Sequence, residues 1–125
     1  MEAQKKILIA DDDQTLLFAF NAIFRHPNYS IDSSDSVEHA KELINKNNYE
    51  LVITDLQFTE SVPEGGKEII KYVRQKSPRT RIILLTAFDT EDEKKNGNGE
   101  KPDYYLQKPV KSEEIKEIMH KNGIL

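Results

Sequence analysis

The sequence predicts a five-stranded, doubly wound α/β domain three layers thick, and three observations predict it. Short, uninterrupted apolar runs recur along the chain, amphipathic stretches of helical period separate them, and charged or hydroxyl side chains stand at the carboxyl ends of the runs. A parallel sheet covered on both faces needs continuous apolar strands, whereas a sheet wetted on one face would alternate apolar with polar residues.

Each element has its own warrant. KKILIA (5–10) reads as the first strand. QTLLFAFNAIFRH (14–26) follows with Leu16, Leu17, Phe20, Ile23 and Phe24 at three- and four-residue spacing, and Pro27 closes it. Asp13 stands immediately before this helix and suits its N-cap. YSIDS (29–33) is a weaker strand. SVEHAKELINKN (36–47) repeats the helical pattern through Val37, Ala40, Leu43 and Ile44, behind a cap at Asp35 or Ser36. ELVIT (50–54) and RIILL (81–85) are β-rich runs that bracket KEIIKYVRQK (67–76), whose Ile69, Ile70 and Val73 turn inward. YYLQ (104–107) is a last short strand, and SEEIKEIMHK (112–121) a last helix, capped by Ser112 and stopped near Gly123.

Composition removes several classes of function. A chain of 125 residues with 37% hydrophobic residues supports one core, and a single domain spanning 1–125 is expected, with no output domain in this chain. The balance of 18 basic against 22 acidic residues gives net charge −4, and no basic stripe could neutralise a row of phosphates, so nucleic-acid binding through this chain is not expected. There is no cysteine, hence no disulfide, thiolate metal site or thiol nucleophile. The apolar run after Lys5 and Lys6 is too short for a signal peptide or membrane span, so no membrane association is expected and the cytoplasm is the expected location. His26, His39 and His120 lack ligand spacing and read as surface or packing residues.

In a doubly wound sheet the functional crevice lies outside the carboxyl ends of the strands, where the strand order reverses. Asp11 and Asp12 stand there after the first strand, Asp55 after the third, Thr86 after the fourth, and Lys108 followed by Pro109 after the fifth. If Asp11, Asp12 and Asp55 converge to about 4–5 Å, each like-charged pair costs on the order of 3–4 kcal/mol at an effective dielectric near 20, and one lysine offsets only part of that. Such a cluster calls for a divalent cation. Oxygen ligands without histidine or thiolate suit a hard ion, and Mg²⁺ in particular, with Mn²⁺ an alternative. Carboxylate, hydroxyl, ammonium and Mg²⁺ around one crevice are the parts of a phosphoryl-transfer site, where positioning and charge neutralisation supply most of the catalysis.

The motifs ILIADDD, ELVITD, ILLTA and YLQKP, in this order and at these separations, resemble the receiver domains of two-component response regulators. The resemblance covers nearly the whole chain. It implies a flavodoxin-like sheet in the order 2-1-3-4-5, and a signalling domain rather than an enzyme, with slow autodephosphorylation. It implies that Asp55 accepts a phosphoryl group from a sensor histidine kinase or phosphotransfer protein, and that Asp11, Asp12, Asp55 and the Gln57 backbone carbonyl hold Mg²⁺. Lys108, Thr86 and the Ala87 backbone would meet the phosphoryl group, and Tyr105 would take the aromatic switch position. Pro109 would follow a cis peptide, Gln57 and Phe88 would tune hydrolysis, and an unnamed downstream protein would read the result. The oligomeric state stays open.

Two other readings compete. Asp11-Asp12-Asp13-Gln14-Thr15 also satisfies the D-x-D-x-T pattern of haloacid-dehalogenase-like phosphatases, with Asp11 as nucleophile and Asp13 as general acid; it leaves Asp55 without a role. A receiver-like binding module independent of phosphorylation keeps the fold and drops the chemistry.

The chain also departs from the receiver pattern. The family's proline and glycine four and eight residues past the acceptor are replaced by Thr59 and Pro63, with Gly65 and Gly66 following, which makes the loop from Gln57 to Gly66 about three residues longer. EDEKKNGNGEKPD (91–103) occupies the place of the fourth helix without an aliphatic or aromatic side chain. Gly97 and Gly99 each cost roughly 1 kcal/mol in a helix interior and Pro102 more. A mobile loop is expected there, with at most a turn or two of helix over Thr90 to Lys95.

Overall fold

The computed structural model of the chain describes residues 4–58, 64–96 and 99–124. The continuous apolar runs form strands β1 (Lys5–Ala10), β2 (Tyr29–Ser34), β3 (Leu51–Asp55), β4 (Arg81–Thr86) and β5 (Tyr104–Gln107). The amphipathic stretches form helices α1 (Gln14–Ile23), α2 (Val37–Lys46), α3 (Gly65–Lys76), α4 (Thr90–Asn96) and α5 (Ser112–Lys121). The strands are parallel, in the order β2-β1-β3-β4-β5. The order reverses between β1 and β3, so the crevice opens above the ends of those two strands.

Alternation of side chains across the sheet divides the interior in two. Leu8, Val52, Ile82 and Leu84 face α2 and α3, where Ala40, Ile44, Ile69, Ile70 and Val73 meet them. Ile7, Ile9, Leu51, Ile53, Ile83 and Leu85 face α1 and α5, against Leu17, Phe20, Ile115, Ile118 and Met119. Every residue of β3 is buried, as a central parallel strand requires.

The helix ends follow local chemistry. Asp13 is the N-cap of α1, its side chain accepting from the backbone N–H groups of Thr15 and Leu16. Ser36 caps α2 through a 3.1 Å hydrogen bond from His39 N–H, which settles the choice between Asp35 and Ser36. Ser112 does not cap α5. It is the first helical residue, and the Glu114 carboxylate instead accepts from the Lys111 backbone N–H at 3.1 Å, so the cap lies one residue earlier than the serine suggests. At the other end Gly123, at φ 68°, lets Ile124 N–H reach Met119 C=O at 2.9 Å and bury the Ile124 side chain, a Schellman ending.

Helix α4 has seven residues, and none of the side chains from Thr90 to Lys95 is buried. Without an apolar stripe the helix has nothing to drive into the core, and it does not exceed the two turns expected. Gly97 and Asn98 lie outside the described residues, as does the segment 59–63 of the longer loop.

Candidate functional site

The site is assembled at the strand ends. Pairing of β1 with β2 continues one step past the strand, Asp11 N–H donating to Ser34 C=O at 2.9 Å, and this holds Asp11 fully buried. Its Oδ1 accepts from Asp13 N–H at 2.9 Å and its Oδ2 from Lys108 Nζ at 3.0 Å. Asp12 is exposed. Asp55 closes β3 at 6% exposure, with Oδ1 3.4 Å from the same Lys108 Nζ. Asp11, Asp12 and Asp55 each offer a carboxylate oxygen, all within 4.8 Å of one another. The predicted convergence is therefore present.

Lys108 is brought in by β5, whose ladder with β4 extends past the strand end through Lys108 N–H to Thr86 C=O at 2.7 Å. The Lys108–Pro109 peptide is cis, as expected. Thr86 is buried, and its Oγ1 accepts from Phe88 N–H at 3.0 Å. A pocket of about 90 Å³ lies over Asp55 and is lined by Leu56, Gln57, Thr86, Ala87, Phe88 and Lys108. Phe88 stands at its rim, 55% exposed. Tyr105 lies apart from this pocket. It is half-buried against the α2–α3 core, and Lys94 Nζ sits 5.8 Å from the centre of its ring.

The electrostatics follow from this packing. Burial, reinforced by the Asp11 charge, pushes the Asp55 carboxyl up to about 6, against the pull of Lys108. Burial also raises Asp11, although Asp13 N–H and Lys108 offset part of the effect. Burial alone would lower the Lys108 ammonium, but the Asp11 and Asp55 carboxylates outweigh it and hold the pKa above the usual value. One lysine thus faces three carboxylates, and the excess negative charge is what a hard divalent cation would neutralise.

Gly66 is a close-packed position beside the site that the spacing alone does not reveal. Its N–H donates to Leu56 C=O at 2.8 Å, so the start of α3 rests directly on the chain leaving Asp55. A Cβ there would stand 2.7 Å from Leu56 Cα and closer still to the Asp55 carbonyl oxygen. The available signal was a glycine pair opening a helix, where glycine is otherwise unfavourable.

The phosphatase alternative finds no support in this geometry. Asp13 is engaged as a helix cap, both oxygens of Asp11 are bonded, and Asp55, which that reading leaves idle, sits at the centre of the site. His26, His39 and His120 are all exposed.

A strand-end carboxylate beside two further carboxylates, with a hydroxyl and a lysine across a small pocket, defines the class of phosphoryl-accepting signalling domains built on a doubly wound sheet. The chain belongs to the response regulator receiver domain family, whose model matches residues 7–120. Among similar proteins, the transcriptional regulatory protein BasR of Escherichia coli is 33% identical over 110 residues, covering 88% of this chain and 48% of its own. The chain spans about half the length of the curated relatives it matches, the nisin biosynthesis regulatory protein NisR of Lactococcus lactis included. The response regulator TrrA of Thermotoga maritima, solved in complex with Mg²⁺ and BeF, superposes with TM-score 0.79 at 28% identity, covering 95% of this chain and 99% of that one. The chemotaxis protein CheY4 of Vibrio cholerae gives TM-score 0.81 at 21% identity, covering 95% and 98%, and shows the shared fold. Among the described residues no helix is long and apolar enough to cross a membrane.

Proposed function

We propose that Asp55 is the phosphoacceptor of this receiver domain, and the observation that carries the reading is the placement of Lys108 between Asp11 and Asp55 at the mouth of the pocket. A carboxylate oxygen of Asp55 attacks phosphorus, the new O–P bond forming as the P–N bond of a donor phosphohistidine breaks. Lys108 then leaves Asp55 for a phosphoryl oxygen, and Thr86 Oγ1 and the Ala87 N–H meet the others. Asp11, Asp12, Asp55 and the Gln57 carbonyl would hold the cation, Mg²⁺ or Mn²⁺. When bound, the ion neutralises charge on the transferring group and aligns it with Asp55. Phe88 at the rim, with Gln57 in the lining of the same pocket, screens the acyl phosphate from water, so that autodephosphorylation is slow.

The donor is a sensor histidine kinase or phosphotransfer protein and the recipient of the signal a downstream protein, all in the cytoplasm. Tyr105 reports the phosphoryl group by changing its burial, which biases an existing two-state equilibrium.

Incubation with acetyl phosphate and Mg²⁺, borohydride reduction of the acyl phosphate and peptide mapping tests the assignment. Reduction at position 55 is expected, abolished by Asp55→Asn. Trapping at Asp11 would sink it, and no Mg²⁺-dependent labelling would favour a binding module independent of phosphorylation.

A further inference from the structure

Strand β5 brings Lys108 to the carboxylates from the edge of the sheet. None of its four residues is fully buried, among the described residues β4 is its only strand partner, and its hold on the interior rests on Tyr104 and Leu106 against one core and Tyr105 against the other, with no buried side chain from Thr90 to Lys95 beside them. Register nevertheless matters at this strand. A slip of one residue would exchange the faces of Tyr104 and Tyr105, and it would carry Lys108 about 3.3 Å along the sheet, away from Asp11 and Asp55.

Asp103 fixes the register where the strand begins. Its backbone N–H donates to Ile82 C=O at 2.9 Å, and its Oδ2 accepts from Ile82 N–H at 2.8 Å, so one residue occupies both polar groups of a fully buried β4 residue. The same Oδ2 accepts from Arg74 Nη2 at 2.9 Å. Arg74, in the last turn of α3, also donates to Thr80 C=O at 3.0 Å and to Lys101 C=O at 3.1 Å. A single guanidinium therefore ties α3, the turn before β4 and the chain entering β5. The two side chains are 18% and 24% exposed, and the pair is a charge-assisted one at the partly solvated edge of the sheet.

We propose that Asp103 and Arg74 are positioning residues for phosphoryl transfer: they lock β5 to β4 and so place Lys108 over Asp55. This rests on the assignment of Asp55 and Lys108 above. The clamp acts from the far end of the strand, five residues and roughly 17 Å of backbone from the Cα of the lysine it places.

The test is a cycle of variants phosphorylated with acetyl phosphate and Mg²⁺, followed by intact-mass spectrometry. Asp103→Ala is expected to slow labelling at saturating phosphodonor by about tenfold, within the hundredfold that a 1 Å misplacement can cost, with the donor KM unchanged. In a Lys108→Ala background the same substitution is expected to change the rate by less than about twofold, because the residue it positions is gone. Asp103→Asn keeps an acceptor for Ile82 N–H and should fall between wild type and Asp103→Ala; it also serves if the alanine variant does not fold. Equal slowing in both backgrounds, or no slowing in either, overturns the clamp while leaving Asp55 as acceptor. If wild type itself is not labelled, the assignment of the site falls and the clamp falls with it.

Discussion

Asp55 sits 6% exposed beside Asp11 and Lys108, and its carboxyl is pushed up to about 6 by burial and by the Asp11 charge. The ionised form is thus less favourable in the folded chain than in the unfolded one, where the ordinary value is 3.8. The folded state holds the extra proton between about pH 4 and pH 6, so stability attributable to this group falls as pH rises through that window. At about 1.4 kcal/mol per pH unit, the cost at neutral pH is on the order of 2–3 kcal/mol. Asp55→Asn should therefore stabilise the metal-free protein near pH 7 by an amount of that order, the gap closing towards pH 4, as measured by urea denaturation across pH. A gap independent of pH would contradict the assignment of strain to this carboxylate. Phe88→Ala, at the pocket rim, should shorten the half-life of phosphorylated Asp55 several-fold in a quench assay with little effect on stability, because its side chain is mostly outside the core.

Elements differ in how firmly they are held, and the sequence made most of that difference legible. The runs LVIT and IILL could only be buried strands, and the stripes of α2, α3 and α5 could only be core-facing helices. The poverty of EDEKK was equally readable, and α4 is short because no side chain drives it inward. Amides of Thr90–Asn96 are expected to exchange with solvent orders of magnitude faster than those of Ile69–Val73, since opening α4 exposes no core; comparable protection in hydrogen-exchange mass spectrometry would refute this. The start of α5 differs from its sequence expectation because Ser112 is a good cap by type, whereas the bond that Lys111 N–H donates to the Glu114 carboxylate depends on the path of the chain after Pro109. Gly66 shows the limit more sharply, because contact between a helix start and the backbone after Asp55 is tertiary. Gly66→Ala should destabilise the fold by about 1–3 kcal/mol through forced overlap with that backbone, and slow acceptor labelling as well; a neutral outcome in thermal unfolding would show that the helix can lift away.

At the scale of the molecule the carboxylates are held in place by strand order. Asp11, Asp55, Thr86 and Lys108 are far apart in the chain, and only a parallel sheet with all strand ends on one side collects them. That much followed from alternating strands and helices. What did not follow was the distribution of the lysine between Asp11 and Asp55, or the Arg74–Asp103 clamp, which depends on side-chain lengths meeting in three dimensions. Because the site has more negative than positive charge, Mg²⁺ at a hundred times its dissociation constant should stabilise the wild type by about 2.7 kcal/mol, and Asp12→Asn should lose most of that gain in calorimetry. The division of the interior by the sheet has a separate consequence. Leu56 and Phe58, which follow Asp55, and the Tyr105 ring belong to the α2–α3 side, whereas α1 and α5 close a compartment that none of them enters. Leu106 and Val110, on either side of Lys108, do pack into that second compartment. Aliphatic exchanges there, such as Ile115→Val, are expected to cost stability without touching Leu56, Phe58 or Tyr105, and to reach the site only through the seat of the lysine.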